Sequence, residues 1–237
     1  MTIEKIIKDI PYLIKFQGNE RTYAEKLISQ GQLFMQSAEA YINIEKQTGI
    51  KGQGDIREGL VFDFVRIGID LPIYCMYGVY LHQIEGNTIS IDKRVVQDFC
   101  PEGGYITLIE TMPFINQFKA HCSYTYDIGM VIYGRKSVAQ DKRLLEKMTS
   151  ALHYKSEALK YQQEFRIVVG KKLNRIVIPH EETPWIPKEV IDEGIHYHKF
   201  EEFTLEIGDI SSYSHQISTD VLEDESMTHL RLSLNKI

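Results

Sequence analysis

The densest run of chemically capable side chains is Tyr161-Gln162-Gln163-Glu164-Phe165-Arg166, within residues 153–170. In an extended strand successive side chains face opposite ways, so Glu164, Arg166 and Val168 share one face and Phe165, Ile167 and Val169 the other. A carboxylate and a guanidinium two residues apart hold each other in one geometry, and the guanidinium favours the ionised acid. That pair suits the wall of a site and equally suits a structural tie at the start of a strand.

Other chemistry is thinner. Residues 48–59 hold four glycines, which forbid regular structure and let backbone approach a ligand, but the run matches no phosphate-binding, dinucleotide or calcium loop. Asp55 and Glu58 within it could join Glu164 around a magnesium ion, and solvated loop carboxylates are the alternative. His196-x-His198 puts two rings on one strand face, yet no third ligand stands nearby, so no metal site is expected. His121 and Cys122 point apart on a strand, and Cys75 between Tyr74 and Met76 reads as a small buried apolar group. Fourteen tyrosines, with Tyr74, Tyr77 and Tyr80 on one run and Tyr124 and Tyr126 on another, offer stacking surfaces or ordinary core.

The elements that must position these groups follow from periodicity. Residues 12–17 alternate as a first strand carrying Lys15 and Gln17 on one face. Thr22 to Gly31 reads as a capped helix, and Ser37 starts another that ends at Thr48. Strands are expected at 60–68, 72–85 and 88–91, the last two joined through Gly86 and Asn87. A short helix starts at Asp92, a strand covers 105–110, a helix 113–121, a strand 123–133, and a helix leads from Ser137 to Leu152. Residues 174–178 are the expected partner of the strand at Glu164, with further strands at 197–207 and 227–234. Strands and helices intersperse without βαβ regularity, which predicts an α+β fold with a mixed, mostly antiparallel sheet and packed helices, in a single domain over 1–237.

With 43% hydrophobic residues the chain has material for a full core, and a net charge of −6 gives no global attraction to nucleic acid or anionic membrane. Three cysteines without a Cys-x-x-Cys pair predict reduced thiols and a cytoplasmic setting. No apolar run approaches the ~18 residues of a membrane span, and no signal-peptide core stands at the N-terminus.

Lys155 followed by Tyr161-x-x-Glu164-x-Arg166, after a strand ending Val131-x-Tyr133 and an earlier Cys75 strand, resembles a bacterial family catalogued as a domain of unknown function. Phe16, Leu27-Ile28-x-x-Gly31-x-Leu33 and the turn Ile207-Gly208-Asp209-Ile210-Ser211 fit the same family, which is found near abortive-infection and phage-defence genes. Its layout is similar to that of ADP-ribosyltransferases, which split NAD at a conical sheet cleft with a Gln/Glu-x-Glu motif opening a late strand; Gln162-x-Glu164 stands there. The resemblance implies Glu164 as the electrostatic catalyst, Gln162 orienting the acceptor, Arg166 positioning Glu164, and Lys15, Tyr77 and Tyr161 binding NAD. It also implies a protein or nucleic-acid acceptor and a Glu164→Gln variant that folds but does not turn over NAD. Lys15 and the Tyr74–Tyr77 run depart from the arginine or histidine and the Ser-Thr-Ser or tyrosine of the transferases. A noncatalytic binding or regulatory protein of a phage or defence system, and a metal-dependent phosphodiester-acting enzyme, are the alternative readings.

Overall fold

A computed structural model describes residues 8–19, 21–48, 60–62, 65–67, 71–100, 103–134, 152–170, 176–177 and 203–236. The described chain runs β1 (Tyr12–Phe16), α1 (Arg21–Gln30), β2 (Gln32–Ser37), α2 (Ala38–Thr48), β3 (Leu60–Phe62), β4 (Val65–Ile67) and β5 (Pro72–Val79). It continues through β6 (Ile84–Glu85), β7 (Thr88–Asp92), α3 (Lys93–Phe99), β8 (Tyr105–Glu110), α4 (Thr111–His121), β9 (Tyr126–Met130) and β10 (Ile132–Tyr133). Then come β11 (Tyr154–Lys155), a 3-10 turn (Glu157–Gln162), β12 (Glu164–Val169), β13 (Ile176–Val177), β14 (Phe203–Glu206), β15 (Ser214–Ser218), β16 (Glu223–Asp224) and β17 (His229–Ser233). The fold is α+β, and every described strand pairing except β10 with β11 is antiparallel.

The main sheet has eight strands and forks. One edge of β5 pairs continuously with β12, from Glu164↔Tyr77 to Val168↔Ile73, and β12 pairs onward with β9. The opposite edge of β5 is shared. At one end β1 takes it through Tyr12↔Val79 and Ile14↔Tyr77. At the other end β2 takes it through Gln36↔Ile73 and Ser37↔Pro72. Strands β8 and β15 extend the β1 prong, and β14 extends the β2 prong. Tyr74 to Met76 therefore face a gap on that edge, with no strand partner there among the described residues.

Alternation sorts the apolar residues onto two faces. Leu13, Tyr74, Met76, Phe165, Ile167 and Val169 pack in one cluster with Leu27 of α1 and Phe114, Ile115 and Phe118 of α4. Ile14, Tyr77, Val79, Ile106 and Leu108 pack in another with Val95 of α3 and Ile89, Ile91 and Leu232 of the small sheet β16-β17-β7-β6. At about 25 cal/mol per Å² these two apolar layers supply most of the drive for folding. All six residues of β12 are buried because it lies inside the sheet with both faces covered.

Local signals place the elements. Asp92 caps α3 by accepting the Arg94 amide at 2.9 Å, and Ser37 Oγ accepts from Ala40 at the start of α2. Gly31 ends α1 at φ +59°, and a Cβ there would stand 2.2 Å from the Gly208 carbonyl oxygen.

Three expectations are corrected, and two strands are added. Residues 72–85 are not one strand: β5 stops at Val79 and a 3-10 turn over Leu81–Gln83 precedes β6. Residues 123–133 give the shorter β9 and β10. Strand β13 pairs with β4 instead of β12, whose two edges are already filled by β5 and β9. Strands β2 and β15 are additions that short half-polar runs, QLFMQS and SHQIS, did not announce. The glycine-rich residues 49–59, most of the 137–152 helix and the His196-x-His198 pair lie outside the described residues.

Candidate functional site

The gap between the prongs opens into a cavity of about 470 Å³. That volume lies within the roughly 300–1,000 Å³ of small-molecule sites. Lys15 to Gly18 of the β1 end line one side and Ile73, Cys75, Met76 and Tyr77 of β5 another. Tyr23, Phe34, Gln36 and Tyr41, from α1, β2 and α2, close it, as do Val95 and Phe99 of α3. Gln162, Glu164, Arg166 and Lys155 form the polar wall. A smaller chamber of about 150 Å³ adjoins, sharing Lys15, Phe16, Gln17, Tyr23, Phe34 and Tyr41.

Glu164 anchors the polar wall. Its Oε1 accepts from Arg166 Nε at 2.8 Å and Nη2 at 2.6 Å, and its Oε2 lies 2.7 Å from Lys155 Nζ. These side chains are 7%, 1% and 3% exposed for Glu164, Arg166 and Lys155, so the ions are desolvated together. Arg166 Nη1 also donates to the Leu152 carbonyl, Lys155 Nζ to Gln162 Oε1 at 3.2 Å, and the Glu164 amide to the Tyr133 hydroxyl at 2.9 Å. Burial alone would raise the Glu164 carboxyl, but the charges of Arg166 and Lys155 outweigh it and hold the group well below the usual carboxylate range. Glu164 is thus at once an internal tie and part of a cavity wall.

The backbone makes this possible at Gln163, which adopts φ +41°, the left-handed region, between the 3-10 turn and β12. Such a conformation in a residue other than glycine costs about 1–2 kcal/mol. It delivers both Gln162 and Glu164 to the cavity wall. The Gln163 carbonyl accepts the Gly78 amide at 2.8 Å, locking the turn to β5.

Lys15 stands apart from this cluster. Its Nζ donates to the Cys75 carbonyl at 2.9 Å, in the gap of the β5 edge, and lies 4.4 Å from the Tyr74 ring centroid. Among the described residues no carboxylate is within ion-pair distance of it. Burial lowers its pKa from the ordinary lysine value, with Cys75 and the more distant Glu164 opposing. The neighbouring acids move the other way: burial pushes the Cys75 thiol, which bonds to Glu164, and the Tyr77 hydroxyl each up to about 12.

Of the residues singled out in the sequence, Lys15, Tyr77, Gln162, Glu164 and Arg166 line one cavity. Tyr77 does so as a buried ring, set edge-on to Phe16 at 6.3 Å, with its hydroxyl accepting from Gln83. Tyr161 does not join them: its hydroxyl donates to Asp98 and the Arg94 guanidinium sits 4.3 Å from its ring. Tyr124 and Tyr126 pack on Phe203 and Phe118, away from the cavity. The cavity residues that the sequence did not flag are Lys155 as a partner of Glu164, Gln36, and the Tyr23, Phe34 and Tyr41 group. Only β2, the unannounced strand, could have pointed to Phe34 and Gln36. No group of three His, Cys, Asp or Glu side chains among the described residues could hold a metal, and Asp55 and Glu58 lie outside them. No helix of the described residues is long and apolar enough to cross a membrane. No family model, curated protein or solved structure matches the chain.

Proposed function

We propose that the fork cavity binds an anionic nucleotide of the NAD class. The observation that carries this is the cavity's charge and shape together. Lys15, Lys155 and Arg166 bring three cationic side chains to a cavity with Glu164, Lys15 has no acidic partner among the described residues, and aromatic rings line the remaining walls. A diphosphate would be met by the cations, and an incoming anion would restore the full charge of Lys15. Flat rings would lie against Phe16, Phe99 and the Tyr23–Phe34 pair. Because both oxygens of Glu164 are engaged by cations, its negative field inside the cavity is muted, which favours binding over bond cleavage.

A second reading, NAD cleavage in the manner of an ADP-ribosyltransferase with a protein or nucleic-acid acceptor, has one observation in its favour. Strands β1, β5 and β12 are consecutive in the sheet, and Lys15, Tyr77, Gln162 and Glu164 line one cavity, which supports this reading although Tyr161 lies outside it. A role in phage–host conflict, as effector or as regulator, rests on that resemblance alone.

Titration calorimetry with NAD tests the first reading. Wild type binds, and Lys15→Met abolishes binding while its melting temperature stays the same or rises, because a desolvated amine has been removed. If wild type binds neither NAD nor ADP-ribose, the nucleotide reading fails. Chromatographic detection of released nicotinamide decides between holding and splitting the ligand.

A further inference from the structure

Outside the Glu164 cluster the described lining of the cavity includes two nucleophilic groups, the Cys75 thiol and the Lys15 amine, and the amine is the one in an unusual setting. Three geometric facts set it apart from the other described lysines. It lines both the larger cavity and the adjoining chamber, so it stands where they meet. Its described bonding consists of one neutral acceptor, the Cys75 carbonyl, and the face of Tyr74. Lys155, in the same cavity, instead shares its charge with Glu164 at 2.7 Å.

We propose that Lys15 is a covalent attachment point for small carbonyl compounds, condensing with an aldehyde that enters the fork cavity. The amine lone pair attacks the carbonyl carbon and forms the carbon–nitrogen bond. The carbonyl oxygen then departs with both amine protons as water, leaving an imine, and no oxidant or reductant is needed. A desolvated lysine, here with no acidic partner among the described residues, keeps a larger share of neutral amine near neutral pH than a solvated one. The groups that face it reinforce this. From β5 the Cys75 thiol and the Tyr74 and Tyr77 hydroxyls are all raised by burial and stay protonated, so none competes as a nucleophile. From β12 and β11, Glu164 is held by Arg166 and Lys155 and cannot pair directly with Lys15.

The preferred carbonyl carries an anion and a flat ring, since Lys15, Lys155 and Arg166 line the cavity together with aromatic walls. This does not depend on the nucleotide reading, because the amine reacts whether or not NAD binds.

Pyridoxal 5′-phosphate has the required aldehyde, ring and anion and serves as the probe. The full chain is incubated with it across a pH series, reduced with borohydride, and mapped by mass spectrometry, with exposed Lys119 and Lys160 as internal references. The expected result is a reduced adduct at Lys15 whose yield levels off at lower pH than those of the references, and which forms at least about fivefold faster than theirs near neutrality. Lys15→Arg removes that adduct and leaves the other two. Labelling of Lys119 and Lys160 with Lys15 unmodified, or a Lys15 profile that coincides with theirs, overturns the proposal. Calorimetry with NAD on unlabelled protein reports separately on the nucleotide reading.

Discussion

Glu164 holds two cations on one carboxylate, and the three side chains are at most 7% exposed. Neutralising it takes from the buried Arg166 and Lys155 the carboxylate that they share. Removing one partner from a buried ionic cluster costs about 3–5 kcal/mol. Glu164→Gln is therefore expected to shift the urea midpoint strongly, in contrast to the simple loss of turnover with an intact fold that the sequence suggested. A melt within about 1 kcal/mol of wild type would contradict this account of the cluster. A double-mutant cycle with Lys155→Met separates the cost of stranding a charge from the worth of the pair. Lys15 behaves in the opposite way. Its lowered pKa means that the folded state gives up protons there, so it opposes stability at neutral pH and the penalty fades as pH rises toward the ordinary lysine range.

At the scale of elements, the cavity exists because β1 and β2 divide one edge of β5, and α1 is the segment that carries the chain from one prong to the other. The reversal between α1 and β2 rests on Gly31, whose amide neighbourhood is fixed by bonds from Ile207 to the Gly31 carbonyl and from Gly208 to that of Gln30. Gly31→Ala would combine a left-handed φ with a Cβ 2.2 Å from the Gly208 oxygen. Its expected cost is about 3 kcal/mol by chemical denaturation, larger than an exposed Gly→Ala change elsewhere. The equivalent change at Gly86, a turn glycine at φ +56° with nothing near its Cβ position, should cost less because only the backbone penalty applies. Comparing the two variants isolates close packing from conformational preference.

For the whole molecule, a chain of net charge −6 encloses a cavity lined by the cationic side chains Lys15, Lys155 and Arg166. Ligand attraction is thus short-ranged, and NAD affinity is expected to fall as salt rises and the Debye length shrinks from about 10 to about 3 Å. The same cluster shapes acid stability. Glu164 is depressed in the folded state from an ordinary value of 4.5, so its contribution is complete above that pH and is lost as pH falls below it. Melting temperature is expected to drop between about pH 5 and about pH 3, with a shallower drop in Glu164→Gln; parallel curves would refute the assignment. Much of this was legible in the residues alone. The alternation through Tyr12–Phe16 and Glu164–Val169, the cap at Asp92 and the stripe of α4 are local signals, since periodicity and capping act within a few residues, and they determined the α+β class and the Glu164–Arg166 pairing. The tertiary structure alone decided that Lys155 completes the charge cluster, that Tyr161 turns away to Asp98, and that β2 faces β1 across a gap. Those facts depend on which strands meet across long stretches of chain, and a local pattern carries no information about its distant partner.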